Sequence, residues 1–217
     1  MSNNLNINEL GGGNSLLFRR RMMMAYKQGG LPSDYEQLEY ITTQQSTLFL
    51  TGFVPTTGCK VEVTIKGTAT TSQKAGALFG SRSGWNNNSF YLRCGASSGS
   101  ATNMTALCGY SSERSVSVNI NASDKNVFGV DNGTFYINDT ILGTYTDVFS
   151  PIYELYLLMV NNAGSPQTSV ISPIGNLYGA KIWDDNGILV RDYVPVKRLA
   201  DNTEGIYDLV NNTFQAK

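Results

Sequence analysis

Hydrolysis of a glycosidic bond asks for little beyond two carboxyl groups held at a fixed separation, about 5–5.5 Å for a retaining pair. The chain carries 17 acidic residues, yet no strand-like stretch sets two of them on one face. Glu62 stands between Val61 and Val63 and faces the polar side alone. Glu154 opens the apolar run Leu155–Val160, also alone. Asp184 and Asp185 are adjacent, point opposite ways, and read as turn chemistry. There is no histidine, which removes Ser-His-Asp and Cys-His catalysis and most transition-metal sites. Cys59, Cys94 and Cys108 form no Cys-x-x-Cys pair and read as half-buried strand residues, not as a disulfide framework or a zinc site. Asp131-Asn132-Gly133 and Asp184-Asp185-Asn186-Gly187 carry oxygen atoms that suit calcium, but neither forms a complete Asp-x-Asp-x-Asp-Gly…Glu loop. The expectation is a protein with no catalytic residue, no metal and no cofactor. Carboxylates converging from distant strands would instead make a hydrolase.

Binding chemistry is better represented. Ser83 to Ser89 places Trp85 beside Asn86, Asn87 and Asn88, with Tyr91 and Arg93 following on one strand face. A tryptophan offers a flat apolar surface to a sugar ring, and the amides offer donors and acceptors. The alternative is that Trp85 folds over a sheet edge and the asparagines simply make a turn. Trp183 reads as a core residue. No glycine-rich phosphate loop opens a helix and no basic-aromatic stripe follows a strand, so nucleotides and nucleic acids are not expected partners.

Strands must position these residues. Cys59, Val61, Val63 and Ile65 alternate strictly with polar residues, the pattern of an antiparallel strand with one face on a core. Similar stretches are Leu38–Ile41, Leu48–Phe53, Ala77–Ser81, Phe90–Cys94, Ala106–Tyr110, Val116–Ile120 and Asn126–Val130. Further candidates are Thr134–Asn138, Ile141–Tyr145, Glu154–Val160, Ile206–Val210 and Thr213–Gln215. Short strands at such spacing, with no convincing internal helix, imply a sandwich or barrel. Asn132-Gly133 and Asn186-Gly187 suit tight hairpin turns. Around the second, two registers are open. A two-residue turn sets Lys181 opposite Asp192 and Trp183 opposite Val190. A three-residue turn sets Lys181 opposite Arg191, with Trp183 opposite Leu189. The opposed charges favour the first and the Trp–Leu pair the second. Pro195 should end the second arm or lie on an edge.

The first thirty residues differ from the rest. They carry a net charge of +3, and the remainder −4. Ser15 to Lys27 suits three helical turns that are marginal in isolation and need a surface to lie on. Leu16, Leu17 and Phe18, then Arg19, Arg20 and Arg21, then Met22, Met23 and Met24 combine apolar bulk, cationic heads and adaptable thioethers. That composition favours a docking peptide over a solvated tail. Gly29-Gly30 makes a hinge, giving an arm over residues 1–30 and one body over 31–217. No stretch approaches the ~20 apolar residues of a membrane span. The start does not read as a signal peptide, so export alone by the general secretory route is not expected.

The segments Lys181-Ile-Trp-Asp-Asp-Asn-Gly-Ile-Leu-Val-Arg-Asp-Tyr-Val-Pro-Val-Lys197 and Gly205-Ile-Tyr-Asp-Leu-Val-Asn-Asn-Thr-Phe214 resemble the closing part of a concanavalin A-like, laminin-G-like jelly-roll family. That family is common in gut Bacteroidetes and their phages and prophages. Leu31-Pro-Ser-Asp-Tyr-Glu-Gln-Leu-Glu-Tyr-Ile41 and Leu50-Thr-Gly-Phe-Val-Pro55 resemble its first strands. One Asp of the 184–185 pair is additional to the family's usual turn. The resemblance implies an all-β, antiparallel jelly-roll β-sandwich. It also implies a non-enzymatic virion structural or adhesion protein, as a capsid- or tail-attached decoration or a fibre component. In that reading residues 1–30 hold other virion proteins, the body touches host-surface or mucosal glycans, and copies could associate. A bacterial cell-surface lectin is the first alternative and a glycoside hydrolase the second.

Overall fold

Period-two alternation between an apolar and a polar face is what the chain builds with. A computed structural model describes residues 30–67, 76–84, 88–96, 104–118, 121, 123–150, 152–167 and 175–217. The expected docking residues Leu16–Met24, and Trp85, Asn86 and Asn87, lie outside the described residues. The strands, in chain order, are β1 (Tyr35–Gln37), β2 (Ile41–Thr43), β3 (Phe49–Leu50), β4 (Lys60–Gly67), β5 (Gly76–Arg82), β6 (Ser89–Ala96), β7 (Met104–Val118), β8 (Lys125–Asp131) and β9 (Thr134–Ile137). There follow β10 (Thr140–Thr144), β11 (Tyr156–Leu157), β12 (Asn161–Asn162), β13 (Ser165–Pro166), β14 (Gly175–Trp183), β15 (Leu189–Arg198), β16 (Thr203–Asp208) and β17 (Thr213–Ala216). No helix occurs among the described residues.

Two sheets form an all-β jelly-roll sandwich. The larger has ten strands, ordered β10-β9-β8-β4-β14-β15-β16-β17, with β1 also against β15 and β2 against β14. In the smaller, of seven strands, β5 lies between β6 and the segments β11 and β12. There β7 flanks β6, β3 flanks β11 and β13 flanks β12. Pairing is antiparallel except between β12 and β5. Between the sheets, Cys59, Val61, Val63 and Ile65 meet Phe90, Leu92, Cys94, Ala106, Cys108 and Tyr110 in one core. The cysteines, expected to be half-buried, are buried and free. Small apolar thiols suit strand positions squeezed between two sheets.

The β14–β15 hairpin combines the two expected registers. Lys181 faces Asp192, while Trp183 faces Leu189. A bulge between Ile182 and Trp183 leaves Val190 without an opposite number and so satisfies both pairings. The turn itself has three residues. Asp184 N–H donates to the Ile188 carbonyl (2.9 Å) and Gly187 N–H to the Asp184 carbonyl (3.0 Å), with Gly187 at φ 74°. The additional aspartate has a use here, since Asp184 Oδ1 accepts the N–H groups of Asn186 (2.9 Å) and Ile188 (2.8 Å). By contrast Asn132 (φ 44°) and Gly133 (φ 77°) make the two-residue turn that Asn-Gly suits, between Asp131 and Thr134.

Beyond the paired region the arms of this hairpin part, and the opening segment fills the gap. β2 lines up on Gly175–Leu177 and β1 on Val196–Arg198. The expected single strand over Leu38–Ile41 is therefore a crossing between two neighbours. Pro195 neither ends β15 nor sits on an edge. Its carbonyl accepts from Leu38 N–H (2.9 Å), so its nitrogen faces the same gap and no ladder bond is lost. Trp183 is half-buried and lies under Lys60 Nζ, 4.8 Å from the ring centroid, instead of entering the core. Two expected strands merge in β7, with Ser111 at φ 61° inside it. The expected strand Glu154–Val160 is cut short because Leu158 takes φ 62°.

Two polar devices finish the structure. Asp208, about 1 % exposed, accepts from Asp192 N–H (3.1 Å), Val210 N–H (3.0 Å) and Asn211 Nδ2 (2.7 Å), with Arg191 Nε 3.6 Å away. It ties β15 to the turn before β17. The Gln215 amide bridges the two sheets. Its Nε2 donates to the Leu50 carbonyl (2.6 Å), and its Oε1 accepts from Leu50 N–H (2.9 Å).

Burial pushes the Cys59 and Cys108 thiols up to about 12 from an ordinary 9.0, and pushes Cys94 up as well. Between those values the native chain holds protons that the unfolded chain has released. The urea midpoint should therefore fall as pH rises from 9.0 towards about 12, and this contribution stays intact below 9.0. At about pH 8 the native thiols should resist alkylation and react once urea unfolds the chain. Asp208→Ala should cost about 2–3 kcal/mol in urea unfolding, because it strands two backbone donors and removes the carboxylate beside Arg191.

Candidate functional site

The loop singled out by its tryptophan runs into β6 through Asn88. Asparagine tolerates the left-handed region, and Asn88 sits there at φ 47°. Its Oδ1 accepts from Ser150 N–H (3.2 Å), which fastens this end of the loop to the segment before Tyr153. From Ser89 onward β6 alternates. Phe90, Leu92 and Cys94 enter the core, while Tyr91 and Arg93 take the opposite face.

That face is covered at Tyr91, which is 1 % exposed. The ring lies on Gly109 of β7, where any Cβ would overlap it. On the other side is Gly80, whose Cβ would sit 2.7 Å from Tyr91 Cβ and 2.8 Å from Val160 Cγ2. The Tyr91 hydroxyl donates to the Glu113 carboxylate. Burial first, and that bond second, raise the Tyr91 pKa. Arg93 Nη1 lies 3.6 Å from Glu113, and its guanidinium 5.9 Å from the Tyr91 ring. Arg82 is buried beside them and donates through Nε to Asn162 Oδ1 (3.0 Å); burial lowers its pKa. Thus Asn88 and Arg93 are half-buried with partners inside the chain, and no face of Tyr91 is open for a sugar to stack on.

Several carboxylates are engaged as well. Glu62, expected to stand alone, accepts from the Tyr136 hydroxyl (2.6 Å) and pairs with Lys60 (2.9 Å). Tyr136 reaches it by lying across Gly129. Glu154 accepts from Gly52 N–H (2.7 Å). Asp192, buried, lies 3.3 Å from Lys181 Nζ. The sequence reading set Asp192 opposite Lys181 without foreseeing its burial, and it missed Asp208. Among the described residues no three of His, Cys, Asp or Glu are grouped to hold a metal.

An open, unclaimed surface lies on the outer side of the ten-stranded sheet. Successive registers align Thr42 with Asn176, Asn176 with Lys66, and Lys66 with Lys125. Lys125 Nζ sits 4.1 Å from the Tyr178 ring centroid, and that ring meets Tyr40 at 5.6 Å. Tyr40 is 40 % exposed. At the Thr42 end the row borders an open depression lined by Thr42, Thr43, Gln44, Gln45 and Ser46. Rings, hydroxyls, amides and ammonium groups on one flat face are the chemistry of saccharide contact.

No protein-family profile and no curated protein matches the chain. Solved structures do. The chain is similar to tailspike protein 2 from Escherichia coli O157:H7 bacteriophage CAB120, with 15% identity, a TM-score of 0.50, and 72% of this chain against 24% of that one. It therefore spans about a quarter of that tailspike's length. It is also similar to a heptameric SAP-like pentraxin from Limulus polyphemus, with 14% identity, a TM-score of 0.50, and 85% of this chain against 92% of that one. Domains LG4-5 of the mouse laminin alpha1 chain match at 10% identity and a TM-score of 0.41, over 68% of this chain and 39% of that one. At such identities the first two likenesses concern the fold alone, and the third is too slight to argue from. The fold that the first two share with this chain is the jelly-roll sandwich.

Proposed function

We propose that the chain is a non-enzymatic adhesion protein of a bacteriophage particle. Residues 1–30 anchor it to other virion proteins, and the sandwich from residue 31 faces outward to touch host-surface or mucosal glycans. The observation that carries the binding half is the exposed outer face of the ten-stranded sheet, with Tyr40, Tyr178, Asn176 and Thr42 side by side. Supporting the anchoring half, the +3 arm precedes a −4 body. The absence of catalysis is supported by Glu62, Glu113, Glu154, Asp192 and Asp208, each of which holds a structural partner. The particle is suggested by the family resemblance of residues 181–214, and the fold is one that a phage tailspike also contains. Many copies on one particle raise avidity by about 10²–10⁴ over a single weak site.

Purified particles should contain the full chain. Replacing Leu16, Leu17 and Phe18 with serine and Arg19, Arg20 and Arg21 with glutamate should strip it from them, with the circular dichroism of the body unchanged. Normal incorporation of that variant would sink the docking arm. On a glycan array the natural chain should bind, and Trp85→Ala tells the two surfaces apart. Lost binding assigns contact to the 83–89 loop, and retained binding assigns it to the sheet face.

A further inference from the structure

We infer that the row Thr42–Asn176–Lys66–Lys125, with Tyr178 and Tyr40 beside it, is a binding site for an acidic saccharide, one carrying carboxylate or sulfate. This rests on the glycan-binding reading above and gives it a place and a ligand class.

The motive is a pairing that a sheet ordinarily avoids. Lys66 of β4 and Lys125 of β8 stand directly opposite each other, on one face and both exposed. Like charges so placed repel and destabilise the pair. Other lysines of the same face are matched, Lys60 by Glu62 and Asp131, and Lys181 by Asp192. Among the described residues neither Lys66 nor Lys125 has an ion pair, although Asp124 and Glu39 are close in sequence to Lys125 and Tyr40. Outside the described residues the chain has one carboxylate side chain, Glu9. The body therefore leaves two cations side by side with no anion of its own.

The surroundings say what kind of anion fits. Lys125 is held against the face of Tyr178, so its ammonium is placed before any ligand arrives. Tyr40, stacked at an angle on Tyr178, leaves 40 % of its surface for a ring. Asn176 continues the row with an amide that accepts from the Thr42 hydroxyl (3.5 Å), and the hydroxyl- and amide-lined depression at 42–46 closes it. Four strands spaced by about 4.8 Å make a row about 14 Å long, the reach of a short oligosaccharide. A polynucleotide fits less well, because two lysines on a body of net charge −4 give no extended basic field.

Titration calorimetry of the full chain tests this. The ligands are oligosaccharides bearing uronate or sulfate, their carboxyl-reduced or desulfated counterparts, and inorganic sulfate alone. The acidic forms should bind about tenfold tighter than the neutral ones, and more weakly as salt is raised. Lys66→Gln and Lys125→Gln should each weaken the acidic ligand about tenfold, Tyr40→Ala should weaken it several-fold, and Lys60→Gln should change nothing. Lys66→Gln should melt no lower than the natural chain, which separates lost binding from lost folding. If acidic and neutral forms bind alike, or the lysine substitutions leave binding unchanged, this site is wrong while the glycan reading stands. If no saccharide binds, both are wrong. If inorganic sulfate binds as tightly as the oligosaccharides, the row is an adventitious ion site only.

Discussion

One hairpin whose arms part sets the rest of the structure. β14 and β15 are paired over Ala180–Trp183 and Leu189–Tyr193, and they diverge beyond Ala180 and Tyr193. Backbone groups facing such a gap must find partners, and the segment from Asp34 to Thr43 supplies them. It pairs with one arm through β1 and with the other through β2. The first described strands and the last ones thus depend on each other, across more than 130 residues of chain. At the turn end, the bulge at Val190 lets Trp183 meet Leu189 while Ile182 stays in the core and Lys181 stays opposite Asp192.

The two faces of the larger sheet follow from the same registers. Inward, Val61, Val63, Ile182 and Phe128 share a core with the smaller sheet. Outward, each row is a sequence of neighbours drawn from distant parts of the chain. One row matches Lys181 to Glu62 and Asp192, and another sets Lys66 against Lys125. The smaller sheet treats its outer face differently. Gly80 and Gly109 make room for Tyr91, and two arginines and Glu113 gather round it, so that surface is taken up by internal contacts.

Alternation made much of this legible from residue types. It put Cys59, Val61, Val63 and Ile65 on the core side, and Asn132-Gly133 marked its turn correctly. Local pattern says which side a residue faces, however, and not what lies over that side. Tyr91 and Arg93 do share a strand face, but the cover of Tyr91 by Val160 and its seat on Gly109 depend on strands elsewhere in the chain. Glu62 read as solitary for the same reason, since Tyr136 reaches it across an intervening strand. The apolar run Leu155–Val160 looked like one strand, because nothing in its residue types announces a positive φ at Leu158. The hairpin at 184–188 left two registers open, since charge pairing and aromatic pairing pointed to different ones and a bulge served both.

The amide of Gln215 has a meaning for molecules crowded together. The last strand of a sheet presents unused backbone donors and acceptors, and these recruit strands from other molecules. At Leu50 both groups are already taken by one side chain of the same chain. The smaller sheet is thereby closed at that position to edge-to-edge polymerisation, a safeguard whose value grows with the number of identical neighbours.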